Sequence, residues 1–165
     1  MSPLIGPAEL AELAAHADAT RAAEGYMTSA QLLDLARRGN RLLDPWSLLV
    51  SARAEIGTGN LLGPAVTIEV RGEARLRIGD HNRLAAGTVV EASTGEILIG
   101  HGNRFGPGGC LVRTARAGER ITIGDHGRYQ QGAQLLGSST LGSGSQVLGP
   151  ILVESCGLGA GGSFE

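Results

Sequence analysis

Three of the four histidines in this chain, His81, His101 and His126, fall in near-copies of one hexad: IGDHNR from Ile78, IGHGNR from Ile99 and IGDHGR from Ile123. His81 and His126 follow Asp80 and Asp125 and hold the same place, whereas His101 stands one position earlier in the copy between them. An imidazole can take a proton from an attacking hydroxyl or amine. A row of imidazoles at one edge, beside donors for a developing oxyanion, would suit acyl transfer from a thioester. The same row is also what a solvated turn looks like, because Asp-His and His-Gly are ordinary corner dipeptides. Arg83, Arg104 and Arg128 close the three hexads. Arginine forks match phosphate, so a CoA phosphate or a nucleotide pyrophosphate would satisfy a column of them, as would carboxylates from a neighbouring protomer. Asn103 is a candidate ligand contact beside Arg104, and with Asn82 it also reads as a rung of a short asparagine ladder. A three-histidine zinc site needs converging ligands. The gaps here are 20 and 25 residues, so no metal is expected.

What must position these residues is the repeat itself. The three hexads and a weaker copy, LGSGSQ from Leu141, start 21, 24 and 18 residues apart, all multiples of three. Hexads tile the chain from Val50 onward: VSARAE, IGTGNL, LGPAVT, LAAGTV, VEASTG, FGPGGC, LVRTAR, YQQGAQ and LLGSST. A period of six grouped in eighteens describes a backbone that turns a corner every six residues and closes a triangular coil. That is a parallel β-solenoid, an all-β fold. The first residue of each hexad is apolar and predicted to point inward, and the 27 glycines keep step with it, which marks them as corners. Extra residues fall at one corner only, and each insertion ends alike: GEARLRIG, GEILIG and GERITIG. Some five coils stacked about 4.8 Å apart give a prism of roughly 25 Å.

Residues 1–45 differ in character and are expected to form a helical N-terminal cap on a solenoid of residues 46–165. Gly6-Pro7-Ala8-Glu9 opens a helix with Leu10, Leu13, Ala14 and Ala17 on one face, and Gly25 stops it. Thr28-Ser29-Ala30-Gln31 reads as a capping box for a second helix ending near Gly39. Both are too short to stand alone, so both are expected to pack on the open first coil. Trp46, the only tryptophan, is predicted to plug the base of the prism.

The net charge is −2 and all fourteen basic residues are arginine. Lysine chemistry of every kind, from a Walker A loop to a Schiff base, is excluded. The balanced charge argues against a general nucleic-acid or membrane-surface role. Cys110 and Cys156 form no CxxC motif; Cys110 is read as structural, though partly exposed. Glu91 and Glu154 hold equivalent positions two or more coils apart, too far for a paired-carboxylate mechanism. With no apolar run of about 20 residues and no signal peptide, a soluble cytoplasmic protein is expected.

The hexads resemble those of the hexapeptide-repeat transferases, the left-handed β-helix family, across residues 45–165. The opening is similar to the acetyltransferase half of sugar-1-phosphate nucleotidyltransferases: Asp44-Pro45, then Val50 and Glu55-Ile56-Gly57. The steps LGSSTLG (136–142) and VESCGLG (153–159) fit the same family. The resemblance implies a left-handed parallel β-helix of about five triangular coils, assembled as a homotrimer with the site between prisms. It further implies transfer from acetyl-CoA or another acyl-CoA to a sugar or other small hydroxyl or amine acceptor. His81, His101 and His126 would be the candidate bases. Insertions of only three to six residues leave no lid. This keeps a second reading open, a non-catalytic trimeric scaffold or nucleotide-sugar-binding module. A third, a metal hydratase like the γ-class carbonic anhydrases that share the fold, would need a different histidine spacing.

Overall fold

A computed structural model describes residues 5–164. Helix α1 (Pro7–Ala23) has Gly6 as N-cap, and the Glu9 carboxylate accepts the Gly6 N–H at 2.7 Å. Helix α2 (Ser29–Arg37) starts at Thr28 with the expected capping box: the Thr28 N–H donates to Gln31 Oε1 at 2.8 Å. Only α2 packs as anticipated. It buries Leu32 and Leu35, which with Met27 close one end of the solenoid core. Helix α1 buries no residue, and Leu10 and Leu13 remain exposed. It is tied down by polar contacts instead, Asp18 accepting from the Ser29 N–H and hydroxyl, and Arg21 donating to the Trp46 carbonyl. No helix among the described residues is long and apolar enough to cross a membrane.

The rest is an all-parallel solenoid with three walls. The first holds Arg41–Leu42, Leu61–Leu62, Arg83–Leu84, Arg104–Phe105, Arg128–Gln130, Gln146–Leu148 and Ser163–Phe164. The second holds Leu49–Val50, Thr67–Val70, Val89–Ala92, Cys110–Thr114, Ala133–Leu136 and Leu152–Glu154. The third holds Glu55–Ile56, Arg75–Ile78, Glu96–Ile99, Arg120–Ile123, Thr140–Leu141 and Gly157–Leu158. Seven strands in the first wall and six in each of the others make about five turns from first to last. Ile56, Ile78, Ile99, Ile123 and Leu141 stack in direct register, so the intervals of 21, 24 and 18 residues each return the chain to one inward column. The inserted residues lengthen the middle strands of the third wall to four residues, against two at its ends.

Three expectations shift. The frame slips at LVRTAR: Val112 is buried and Leu111 faces outward, because the Gly106–Gly109 corner carries one residue more than its neighbours. Cys110 is thereby turned inward and buried rather than partly exposed. Trp46 plugs nothing; it is 64 % exposed, and its main-chain N–H donates to Asp44 Oδ1. The stack already begins at Arg41, so the inward position after that turn falls to Leu48, which is fully buried.

Candidate functional site

The corner where the third wall passes into the first carries all three hexad histidines. Its geometry is two parallel columns rather than one. Thr58, Asp80, His101, Asp125 and Ser143 form the first column, and each side chain from Asp80 onward accepts a main-chain N–H from the coil before. Thr58 N–H donates to Asp80 Oδ1 at 2.8 Å, Asp80 N–H to His101 Nδ1 at 2.9 Å, His101 N–H to Asp125 Oδ1 at 2.7 Å, and Asp125 N–H to Ser143 Oγ at 3.0 Å. The Thr58 hydrogen bond holds the Asp80 carboxyl below its ordinary range, against a smaller upward pull from desolvation and with further lowering from His101 and His81.

His81 and His126 occupy the second column, both with left-handed backbone (φ 57° and 58°). Their rings lie over Gly59 and Gly102 of the preceding coils, where a Cβ would run into the imidazole. The glycines of this column thus alternate with histidines because each ring needs a bare backbone beneath it. His81 and His126 stand two coils apart, about 10 Å.

Among the described residues His101 is the one histidine with a carboxylate partner, Asp80 Oδ2 at 3.2 Å from Nδ1. Its Nδ1 has two competing uses. Unprotonated, it accepts the Asp80 N–H and leaves Nε2 as a donor. Protonated, it turns to the carboxylate and frees Nε2 as a base. The hydrogen-bond geometry to the Asp80 N–H favours the first state. Glu55, Gly57, Arg77 and Gly79 border the pair in an open hollow of about 260 Å³.

Directly inside this corner runs a buried asparagine ladder. Asn60 N–H donates to Asn40 Oδ1, Asn82 N–H to Asn60 Oδ1, Asn103 N–H to Asn82 Oδ1 and Gly127 N–H to Asn103 Oδ1, all between 2.7 and 2.9 Å. Asn103 is fully buried, and its Nδ2 donates to the Gly124 carbonyl, so both ends of its amide serve the stack and none faces a ligand. The ladder stops at Gly127 because the Tyr129 hydroxyl fills the space a side chain would need, on its way to Ser145 Oγ at 2.8 Å.

Arg83, Arg104 and Arg128 form the column that their spacing predicts. Arg104 sits in register between the other two, and Arg128 continues onto Gln146 with a hydrogen bond of 3.2 Å. All three are exposed, and among the described residues none pairs with a carboxylate. Elsewhere on the solenoid three arginines have carboxylate partners: Arg113 meets Glu91 at 2.8 Å, Arg71 meets Glu69 at 2.8 Å and Arg120 meets Glu96 at 3.1 Å.

The second wall holds a network with no signal in the hexads. Glu69 stacks on Glu91 one coil away, and the Tyr26 hydroxyl, next to the helices, donates to Glu69 at 3.0 Å. Burial raises the Glu91 carboxyl, but the Ser93 hydroxyl and the Arg113 guanidinium together hold it below the usual carboxylate range. Glu154 lies in the same column beyond Arg113 and Leu136, so it and Glu91 do not meet. Burial pushes the Cys110 thiol up to about 12, which makes it inert at neutral pH. Among the described residues no three His, Cys, Asp or Glu side chains converge as a metal site. No family model matches this chain, and no curated protein matches it.

Proposed function

We propose that this chain is a ligand-binding module of the left-handed β-helix, hexapeptide-repeat type, a homotrimeric scaffold whose contact surface for phosphate-bearing ligands is the stripe of Arg83, Arg104 and Arg128. One observation carries this reading. The stripe stacks three like charges in register, and among the described residues none of the three meets a carboxylate, whereas Arg113, Arg71 and Arg120 elsewhere on the solenoid each do. Like charges stacked in a sheet are unfavourable, and an anion laid across them reverses the sign. The histidine columns support the same reading, since His101 Nδ1 serves a main-chain N–H and the His81 and His126 rings cover glycines. Calorimetric titration with inorganic diphosphate and with UDP-N-acetylglucosamine, alongside sedimentation for the trimer, tests it. Binding that disappears in the Arg83→Gln, Arg104→Gln, Arg128→Gln triple variant is the expected result.

A second reading rests on the Asp80–His101 approach of 3.2 Å. In the tautomer with Nδ1–H on Asp80, His101 Nε2 would be the base of an acetyl-CoA-dependent transfer to a small hydroxyl or amine acceptor. Asp80 would orient it, and the arginines would hold the CoA phosphates. Thioester turnover by wild type that is abolished in His101→Ala, His81→Ala or His126→Ala would replace the module reading with this one.

A further inference from the structure

We infer that the arginine stripe takes a linear polyanion of phosphoryl groups, laid parallel to the solenoid axis, rather than a single phosphate. The inference rests on the module reading above. Its first ground is shape. Arg83, Arg104 and Arg128 emerge from the same strand position on three consecutive coils, so their backbones are spaced about 4.8 Å apart along a straight line of about 10 Å. One phosphate can meet one or two guanidinium forks, whereas a chain with an anionic charge on every unit can meet all three.

The second ground is the surface beside the stripe. Ala85 and Gly106 follow Arg83 and Arg104 in the next row of this wall, so nothing bulky stands beside those two guanidinium groups; beside Arg128 the row carries the polar side chain of Gln130. The third ground separates a phosphoryl chain from a nucleic acid. Proteins that hold single strands pair a basic groove with aromatic platforms for the bases. The aromatic rings of this part of the wall, Phe105 and Tyr129, are fully buried and stacked on each other with centroids 5.2 Å apart. A ligand here is read by charge and repeat, with no base or sugar to recognise.

The probes are long-chain inorganic polyphosphate, inorganic diphosphate and oligo-dT, each titrated into the full chain across a range of salt. Polyphosphate is expected to bind at least about tenfold tighter than diphosphate, as added charge-assisted contacts require. Its log K should fall against log salt with a slope of about −2 for three neutralised phosphates. Arg104→Gln should weaken it about tenfold and flatten the slope by about 0.7. Arg75→Gln, on the third wall, should change neither. Equal affinity for diphosphate and polyphosphate, both lost in Arg104→Gln, overturns the chain inference and leaves the module reading standing. Oligo-dT binding as tightly as polyphosphate overturns it in favour of a nucleic acid. Polyphosphate binding that Arg104→Gln leaves untouched overturns the stripe as the site. No anion binding, together with thioester turnover, removes both readings at once.

Discussion

Asn82 lies at the middle of the buried ladder, and its removal tests whether that ladder holds the corner together. Its Nδ2 donates to the Gly100 carbonyl at 2.9 Å and its Oδ1 accepts the Asn103 N–H at 2.9 Å. Asn82→Ala leaves its own N–H on Asn60 but strips one part-buried acceptor and one buried donor of their partners. Each unsatisfied group costs about 1–3 kcal/mol, so the sum is roughly 2–6 kcal/mol. A water entering the vacated space recovers part of this, which places the expected loss near 3 kcal/mol. Stacked coils need not unfold in one step, so residue-resolved hydrogen exchange is the assay of choice, with urea unfolding beside it. Protection of the Asn103 amide should fall about a hundredfold, the equivalent of that free energy. If it falls less than tenfold and the urea midpoint is unchanged, the ladder is not what fixes this corner.

Three further outcomes follow from the same geometry. Gly102→Ala (φ 66°) must place a Cβ under the His126 ring, so it should cost more than Gly118→Ala, whose φ of 78° is equally left-handed but whose surroundings are open; adding His126→Ala should return most of the difference. Arg104→Gln relieves repulsion from two in-register neighbours, about 0.2–1 kcal/mol each, and should raise Tm in low salt; a gain that persists at 1 M salt, where the Debye length is about 3 Å, would disprove the electrostatic cause. Asp80 has a lowered folded-state carboxyl, so its stabilising contribution is complete above its ordinary value of 3.8 and is lost as pH falls through the folded value. The Tm gap between wild type and Asp80→Asn should therefore be full at neutral pH and close in acid, and a gap of constant size from pH 7 to about 2 would contradict the Thr58–Asp80 account.

Helix caps, inward columns and corner glycines were legible because each depends on neighbours close in sequence or on a fixed period. Thr28 and Gln31 are three residues apart, and Ile78, Ile99 and Ile123 announce one column through multiples of three. The asparagine ladder and the arginine column were legible for the same reason. The slip at Leu111 was not, because one added corner residue has no meaning until the next coil fixes which side chain points in. Trp46 misled because size and hydrophobicity suggest a plug, while the register of Arg41 on Leu61 had already assigned the inward place to Leu48. The Tyr26–Glu69 contact joins residues 43 apart with no shared motif.

The sequence by itself determined the repeat, the three walls and the main inward and arginine columns, because in a parallel stack a constant spacing is a spatial address. Only the tertiary structure decided what those columns do. Whether His101 Nδ1 faces a main-chain N–H or a carboxylate depends on where the neighbouring coil places its backbone, to within fractions of an ångström. That Asn103 is spent on the ladder while Arg104, its neighbour, is exposed to solvent follows from the alternation of faces along a strand.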